Sequence, residues 1–220
     1  MHKTISNLVS IENELKSGSR QDLKSKIIAV TKTFPISEIK PLIDHGHLHY
    51  GENKVQEALE KWNGLKKEAR NIKLHMIGKL QTNKVKFAVP LFDYIHSLDN
   101  LKLAQKISSE QKKINKKLKI FIQVNIGNED QKSGIHKNEV MSFYKKCIND
   151  LSLDIIGLMC IPPIKGDKNE YFKLMNDLNK SIGLDELSMG MSSDYLEAVS
   201  YGATYVLSLI HISEPTRHRL

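Results

Sequence analysis

Eight short apolar runs, each followed by a segment with helical periodicity, most constrain the fold of this 220-residue chain. The predicted strands span residues 26–31, 48–50, 73–77, 94–97, 118–125, 154–160, 186–189 and 204–207. Between them, apolar residues recur at helical spacing, as in the segment from Val140 to Ile148. Strands that alternate with helices form a parallel sheet. Eight such units predict an α/β fold, a (β/α)8 TIM barrel, and a doubly wound open sheet is the main alternative.

Composition and termini indicate a cytoplasmic protein with one domain. Hydrophobic residues make up 40% of the chain and charged residues 26%, which suits a folded core. No apolar run approaches the roughly 18 residues of a membrane helix, and residues 1–20 lack the features of a secretion signal. The two cysteines, Cys147 and Cys160, fit a reduced protein better than a disulfide scaffold. We therefore expect no membrane partner.

The net charge of +8 raises the possibility of a nucleic-acid binder. The lysines are spread along the whole chain, and the cluster KKINKKLK at residues 112–119 is explained as the solvated end of a helix. Aromatic residues make up 6% of the chain and are not interleaved with the basic ones, as base stacking would require. No nucleic-acid module is recognisable, so nucleic-acid binding is the weakest functional hypothesis for this sequence.

Lys32 follows the first predicted strand, and in both candidate folds ligands bind beyond the carboxyl ends of the strands. Either this lysine marks the exit of the strand to water, or its amine is held there for a chemical reason. Gly190, Ser192 and Ser193 follow the seventh predicted strand, before a helix that begins near Asp194. Free N–H groups at such a turn favour an anion, although Ser193 or Asp194 could equally be a simple N-cap.

An amine at one strand end and an anion site at another together predict a carbonyl cofactor that carries a phosphate. The glycine motifs of the usual nucleotide-binding loops are missing from the sequence. Pyridoxal 5′-phosphate (PLP) has both the aldehyde and the phosphate. A lysine attacks an aldehyde only as the free amine, and partial burial favours that form.

Six motifs in order make the chain resemble the pyridoxal phosphate homeostasis protein family over residues 27–206. They are AVTKTFP, HYGENKVQE, HMIGKLQTNK, KSGI, GLMCIPP and LSMGMSSDYLEAVSYGAT. The resemblance implies the barrel of the alanine racemase N-terminal domain, with Lys32 holding PLP as a Schiff base. It also implies that further residues face the cofactor, namely Asn53, Met189, Gly190, Met191 and Ser192. His75 and Lys132 would lie near the mouth of the barrel, although a hydrogen-bonded core histidine is an equal alternative for His75.

The leading functional hypothesis is a monomeric PLP-binding protein that buffers the cofactor or delivers it to PLP-dependent apoenzymes. We expect it to have no catalytic residues and no metal. The alternative is a PLP-dependent amino-acid racemase of related fold. Racemisation needs a base on each face of the substrate, and Lys32 can serve only one face. In the racemases another domain supplies the second base, and we expect no such domain here.

The C-terminal segment departs from the family pattern. The family continues after ATYV with Arg-Ile-Gly and then Ser or Thr, whereas here Val206 is followed by LSLIHISEPTRHRL. Residues 207–217 resemble the translation of a sequencing adapter. We therefore predict that residues 1–206 form a PLP-binding barrel domain truncated at its C-terminus, and that residues 207–220 are a non-native tail.

Overall fold

The protein is a closed parallel barrel in a computed structural model that describes residues 2–17, 25–69, 71–129 and 131–209. The strands in these ranges are β1 (Lys26–Val30), β2 (His49–Glu52), β3 (Lys73–Met76), β4 (Tyr94–Leu98), β5 (Lys119–Asn125), β6 (Ile135–His136), β7 (Asp154–Met159), β8 (Glu186–Ser188) and β9 (Tyr205–Ser208). All strands except β6 form the barrel, in the order β4-β3-β2-β1-β9-β8-β7-β5, and pairing of β4 with β5 closes it. The two-residue strand β6 pairs with β5 outside this ring.

In the described ranges, the first helix precedes β1 and each later helix connects successive barrel strands, as the periodicity predicts. They are α1 (Lys3–Ser17), α2 (Ile36–Asp44), α3 (Val55–Glu68), α4 (Val85–Leu91), α5 (Leu101–Lys113), α6 (Val140–Asn149), α7 (Lys168–Ile182) and α8 (Tyr195–Ser200). Local chemistry determines several of their ends. The Asn100 side chain accepts a hydrogen bond from the Leu103 amide at 2.8 Å and so caps α5. Gly183, with a φ of 78°, ends α7 in the left-handed conformation.

Two apolar clusters lie on the two sides of the barrel wall. The larger one fills the space between strands and helices and includes Tyr50 and Trp62, both fully buried. The smaller one fills the barrel interior and consists of Ile28, Tyr94, Phe121, Met159 and Tyr205. Successive side chains of a strand point to opposite faces, so both faces of each strand must be apolar in such a barrel. This is why the strands are continuous apolar runs in the sequence.

The barrel prediction is confirmed, and the open-sheet alternative is wrong because β1 pairs with β9 and β4 pairs with β5. All eight predicted strands are present. Strand β2 extends to Glu52, so Gly51 and Glu52 lie inside the strand rather than after it. The short strand β6 was not predicted. None of the helices in the described ranges combines the length and apolar character that a membrane crossing requires.

The predicted domain boundary at residue 206 falls inside β9. Leu207 and Ser208 continue the strand and pair with Ile28 and Ala29 of β1. The Leu207 side chain is partly buried and packs against the apolar cluster inside the barrel. Most of the predicted tail, residues 210–220, lies outside the described residues. The division at residue 206 stays a prediction.

Candidate functional site

Lys32 lies at the mouth of the barrel, two residues beyond the end of β1. The Thr31 amide donates to the Gly51 carbonyl at 2.9 Å, which extends the pairing with β2 up to the residue before Lys32. Thr33 then adopts a φ of 65°, so the chain turns sharply away after the lysine. The Lys32 side chain is half-buried. Its amine makes no hydrogen bond or ion pair with any residue that the structure describes, so it is available to a ligand.

A buried ion pair holds the chain directly behind Lys32. Lys61 on α3 donates to the Thr31 carbonyl at 2.6 Å and to Glu52 Oε1 at 2.8 Å. The same carboxylate oxygen accepts from the Thr31 hydroxyl at 2.7 Å and from Trp62 Nε1 at 2.9 Å. The Glu52 side chain is 0% exposed and the Lys61 side chain 10%. This cluster, hereafter the clamp, fixes the ends of β1 and β2 relative to α3.

Asn53 follows β2 directly, and β2 is adjacent to β1, the strand that precedes Lys32. The loop after β3 packs closely on its backbone at Gly78. A Cβ at Gly78 would lie 2.3 Å from the Asn53 carbonyl oxygen, so a larger residue would displace Asn53. Asn53 and Lys32 thus follow adjacent strands at the same edge of the barrel.

The predicted anion site is a turn after β8 that contains Met189, Gly190, Met191 and Ser192. Gly190 has a φ of 91°, and a Cβ there would lie 2.6 Å from the Ala198 Cβ atom. The N–H groups of residues 190, 192 and 193 have no acceptor among the described residues. Helix α8 has only six residues, so the free amides of the turn, rather than a helix dipole, make this turn suitable for an anion.

Asp194 and Ser192 organise this turn. Asp194 occupies the N-cap position of α8, but its side chain makes no capping bond to that helix. Its Oδ1 atom instead accepts from the Met191 amide at 2.7 Å. The Ser192 hydroxyl oxygen accepts from the Leu209 amide at 3.2 Å, and its own proton remains available to donate. Asp194 is therefore not a simple N-cap, and Ser193, the other residue considered, does not occupy the cap position.

His75 lies inside the barrel, fully buried, which corresponds to the core-histidine alternative. Its ring nitrogens lie 2.9 Å from His49 Nδ1 and 2.9 Å from His96 Nε2, and His96 Nδ1 lies 2.8 Å from the Ser188 hydroxyl oxygen. Burial lowers the pKa of His75 well below its usual value, and the repulsion that a protonated His96 would exert lowers it further. Burial also lowers the pKa of His96 to about 3 and that of His49 to about 4. These rings are neutral at pH 7.

Lys132 lies on the loop after β5, which is four strands from β1 around the barrel. Its amine forms an ion pair with Glu129 at 2.5 Å and donates to the Pro162 carbonyl at 3.3 Å. Pro162 follows β7, so Lys132 joins two loops on the side of the mouth away from Lys32. Its role toward a ligand stays a prediction.

The structure brings most of the predicted residues to one edge of the barrel. Lys32 and Asn53 follow adjacent strands, and the turn at residues 189–192 follows a strand separated from β1 only by β9. Sequence analysis missed the clamp, although strand alternation would have shown that Thr31 and Glu52 face the helices. It also missed the pairing of Lys168 with Asp194. Across the described ranges, no group of three His, Cys, Asp or Glu residues could hold a metal ion.

The fold is a parallel barrel with a lysine after its first strand and a glycine turn after β8, which is its seventh barrel strand. These features define the class of the alanine racemase N-terminal domain. The model of that family matches residues 7–206. An alanine racemase of Clostridium difficile superposes with a TM-score of 0.76 at 16% identity over 100% of this chain and 59% of the racemase chain. At this identity the likeness shows the fold alone.

Within this class, the chain belongs to the pyridoxal phosphate homeostasis protein family. The relative from Pasteurella multocida is 33% identical over 90% of this chain and 89% of its own length. That from Haemophilus influenzae is 36% identical over 89% and 87%. The structure of PipY from Synechococcus elongatus with PLP bound superposes with a TM-score of 0.83 at 29% identity, over 93% of this chain and 97% of PipY. The family resemblance predicted from the six motifs is confirmed.

Proposed function

We propose that this chain binds PLP on Lys32 and serves PLP homeostasis without catalytic turnover. The observation that carries the proposal is Lys32, a half-buried residue at the mouth whose amine has no partner in the described part of the chain. A structural lysine at such a position would be expected to form an ion pair or to reach water freely. The family membership and the PLP-bound PipY structure support the same function.

The donors at the mouth fit a phosphorylated aldehyde. The free amides at residues 190, 192 and 193 and the Ser192 hydroxyl would hold the phosphate, and only a glycine fits the backbone at residue 190. Asn53 would contribute an amide side chain beside Lys32. When bound, PLP supplies an aldehyde that condenses with a primary amine, forming a carbon–nitrogen double bond and releasing one water. The chain contributes the nucleophilic nitrogen of Lys32, held in place by the clamp.

The absence of turnover is part of this proposal. The curated relatives are named as homeostasis proteins, and the likeness to alanine racemases extends over 59% of the racemase chain in the example above. We propose further that the chain works as a monomer in the cytoplasm and passes PLP to PLP-dependent apoenzymes. Its two cysteines are free and buried, which suits a reducing compartment.

The test is an absorbance titration of the purified chain with PLP, followed by borohydride reduction and peptide mapping. We expect a new absorbance band in the near-ultraviolet to blue range and a reduced adduct on the peptide that contains Lys32. Lys32→Ala should abolish both signals. Lys79→Ala is the matched control, because Lys79 is an exposed lysine on the loop after β3 and should leave both signals unchanged.

An adduct that maps to another lysine, or an unchanged titration in Lys32→Ala, would contradict the proposal. Turnover is tested separately by incubating the PLP-loaded chain with L-alanine and measuring D-alanine. Steady production of D-alanine that Lys32→Ala abolishes would show that the racemase alternative is correct.

A further inference from the structure

A buried carboxylate lies at the turn that would hold the phosphate. The Asp194 side chain is 5% exposed, and its Oδ1 atom is 2.7 Å from the Met191 nitrogen within that turn. A carboxylate beside a phosphate is unfavourable, because like charges repel strongly where little water separates them. The turn therefore needs a compensating positive charge before it can accept a phosphate.

Lys168 supplies that charge from a different element. It is the first residue of α7, and its amine donates to Asp194 Oδ2 at 2.6 Å. The start of α7 is itself fixed, because Asp167 caps the helix by accepting from the Asn169 amide at 2.8 Å. Asp194 thus binds the turn with one oxygen and Lys168 with the other. The start of α7 and the turn after β8 are joined through this single carboxylate.

We propose that Lys168 is a specificity-determining residue that favours phosphorylated over unphosphorylated pyridoxal. This inference rests on the proposed function of the site. Lys168 acts through Asp194: it neutralises the carboxylate, so that the amides of the turn present a net attractive field to a phosphate dianion. Pyridoxal carries the same aldehyde without the phosphate, and its reaction with Lys32 does not depend on that field.

The experiment compares PLP and pyridoxal in absorbance titrations of the wild-type chain and of Lys168→Met. We expect the affinity for PLP to fall roughly tenfold in Lys168→Met, while the affinity for pyridoxal changes less than about twofold. Lys165→Met is the matched control. Lys165 is exposed on the loop that leads to α7 and forms no ion pair in the described part of the chain, so the ratio of the two affinities should stay at the wild-type value.

A double variant separates charge from structure. In Lys168→Met with Asp194→Asn, the repelling charge is removed while the side-chain oxygen can still accept from the Met191 amide. We expect the PLP-to-pyridoxal ratio to return toward the wild-type value. Circular dichroism of each variant checks that the barrel is folded.

Three results would overturn the inference: equal losses of PLP and pyridoxal affinity in Lys168→Met, an unchanged ratio in that variant, or an equal shift in Lys165→Met. Equal losses would mean that Lys168 only supports the loop. These results differ from a failure of the proposed function, in which the wild-type chain would form no adduct with either aldehyde. Recovery of the ratio in the double variant would support electrostatic compensation.

Discussion

At the scale of single residues, Lys61 connects the ends of the two strands that lead to Lys32 and Asn53. Its amine is bonded to Thr31 and Glu52, and the pair is almost fully buried. Burying an ion pair is a poor way to gain stability, because desolvation offsets most of the attraction. The position of the pair directly behind Lys32 instead indicates that it fixes the direction in which that lysine leaves β1.

We expect a large loss in the free energy of unfolding when only one partner of the Lys61–Glu52 ion pair is removed. Lys61→Met leaves the Glu52 carboxylate buried without its cation, and we expect a loss of about 3–5 kcal/mol in the free energy of unfolding. The double variant Glu52→Gln with Lys61→Met should lose less than Lys61→Met alone, because no buried charge remains. Urea unfolding at pH 7 measures both.

Lys67→Met is the control for the clamp, since Lys67 is exposed on the same helix and should change the stability by no more than about 0.5 kcal/mol. A loss below about 1 kcal/mol in Lys61→Met would mean that water or a rearranged side chain solvates Glu52, and the positioning role would have to be abandoned.

Substitution by alanine should change the free energy of unfolding in opposite directions at two glycines. Gly190→Ala places a methyl group 2.6 Å from the Ala198 Cβ atom at a φ of 91°. We expect it to lower the free energy of unfolding by about 1–3 kcal/mol and to weaken PLP binding. Gly64→Ala on α3 meets no atom within 4 Å and should raise that free energy by about 0.4–1 kcal/mol. Thermal melts and PLP titrations of both variants test this contrast; similar PLP affinities would argue against a phosphate site at the turn.

At the scale of secondary-structure elements, four strands contribute one hydrogen-bonded chain through the barrel interior. His49, His75, His96 and Ser188 come from β2, β3, β4 and β8. A neutral imidazole donates with one nitrogen and accepts with the other, so three neutral rings and a hydroxyl can satisfy one another in sequence. Protonation of a ring would place a positive charge inside the buried chain, and burial lowers the pKa values of the three histidines for this reason.

The three hydrogen-bonded histidines in the barrel interior predict a loss of stability in mild acid. The pKa values of the three histidines are lowered in the folded state, so the unfolded state binds more protons once the pH falls below about 6.5. The contribution of these histidines to the free energy of unfolding is complete above that pH. It is lost as the pH falls toward about 4, with a slope of up to ~1.4 kcal/mol per pH unit for each histidine. Urea unfolding at several pH values between 7.5 and 5 measures the slope.

The source of the slope is tested with His96→Gln, which should reduce it by the share of one histidine. His136→Gln is the matched control, because His136 is exposed on β6 and outside the interior chain. If both variants keep the wild-type slope, groups other than the interior histidines cause the acid sensitivity.

The elements were predictable to very different degrees from the sequence. The barrel strands could be predicted because both of their faces are apolar, which gives continuous runs such as that of β1. Strand β6 could not, since two residues carry no periodicity. The histidine chain depends on which residues of four separate strands lie at the same height in the barrel. That register follows from the closed sheet and not from any local pattern.

The candidate site shows the same division. The positions of Lys32, Asn53 and Gly190 could be predicted because a family motif marks each one, and their roles toward a ligand stay predictions. Lys61 and Lys168 could not be predicted, because each acts through a carboxylate on a different element. Only the packing of α3 against β2, and of α7 against the turn before α8, brings those charges together.

At the scale of the whole molecule, the C-terminal segment predicts a difference in affinity. Leu207 faces the barrel interior at the position where the family resemblance implies an arginine. We expect that replacing the residues after Val206 with Arg-Ile-Gly-Thr and a closing amphipathic helix strengthens PLP binding about tenfold or more, since one charge-assisted hydrogen bond is worth ~1.5–3 kcal/mol. The melting temperature should also rise. Isothermal titration and thermal unfolding compare the two chains, and equal values would show that the segment as written is native.

The pairing of β1 with β9 has a consequence for how the protein is made. Lys26 and Tyr205 are neighbours in the barrel but lie 179 residues apart in the chain. At roughly 5–20 residues per second, a ribosome needs about 10–35 s to synthesise the intervening residues. During that interval β1 has one open edge, which can pair with another nascent chain. The pairing of the strand that leads to Lys32 is therefore completed late in synthesis. Nascent chains that are translated close together are the most exposed to mispairing.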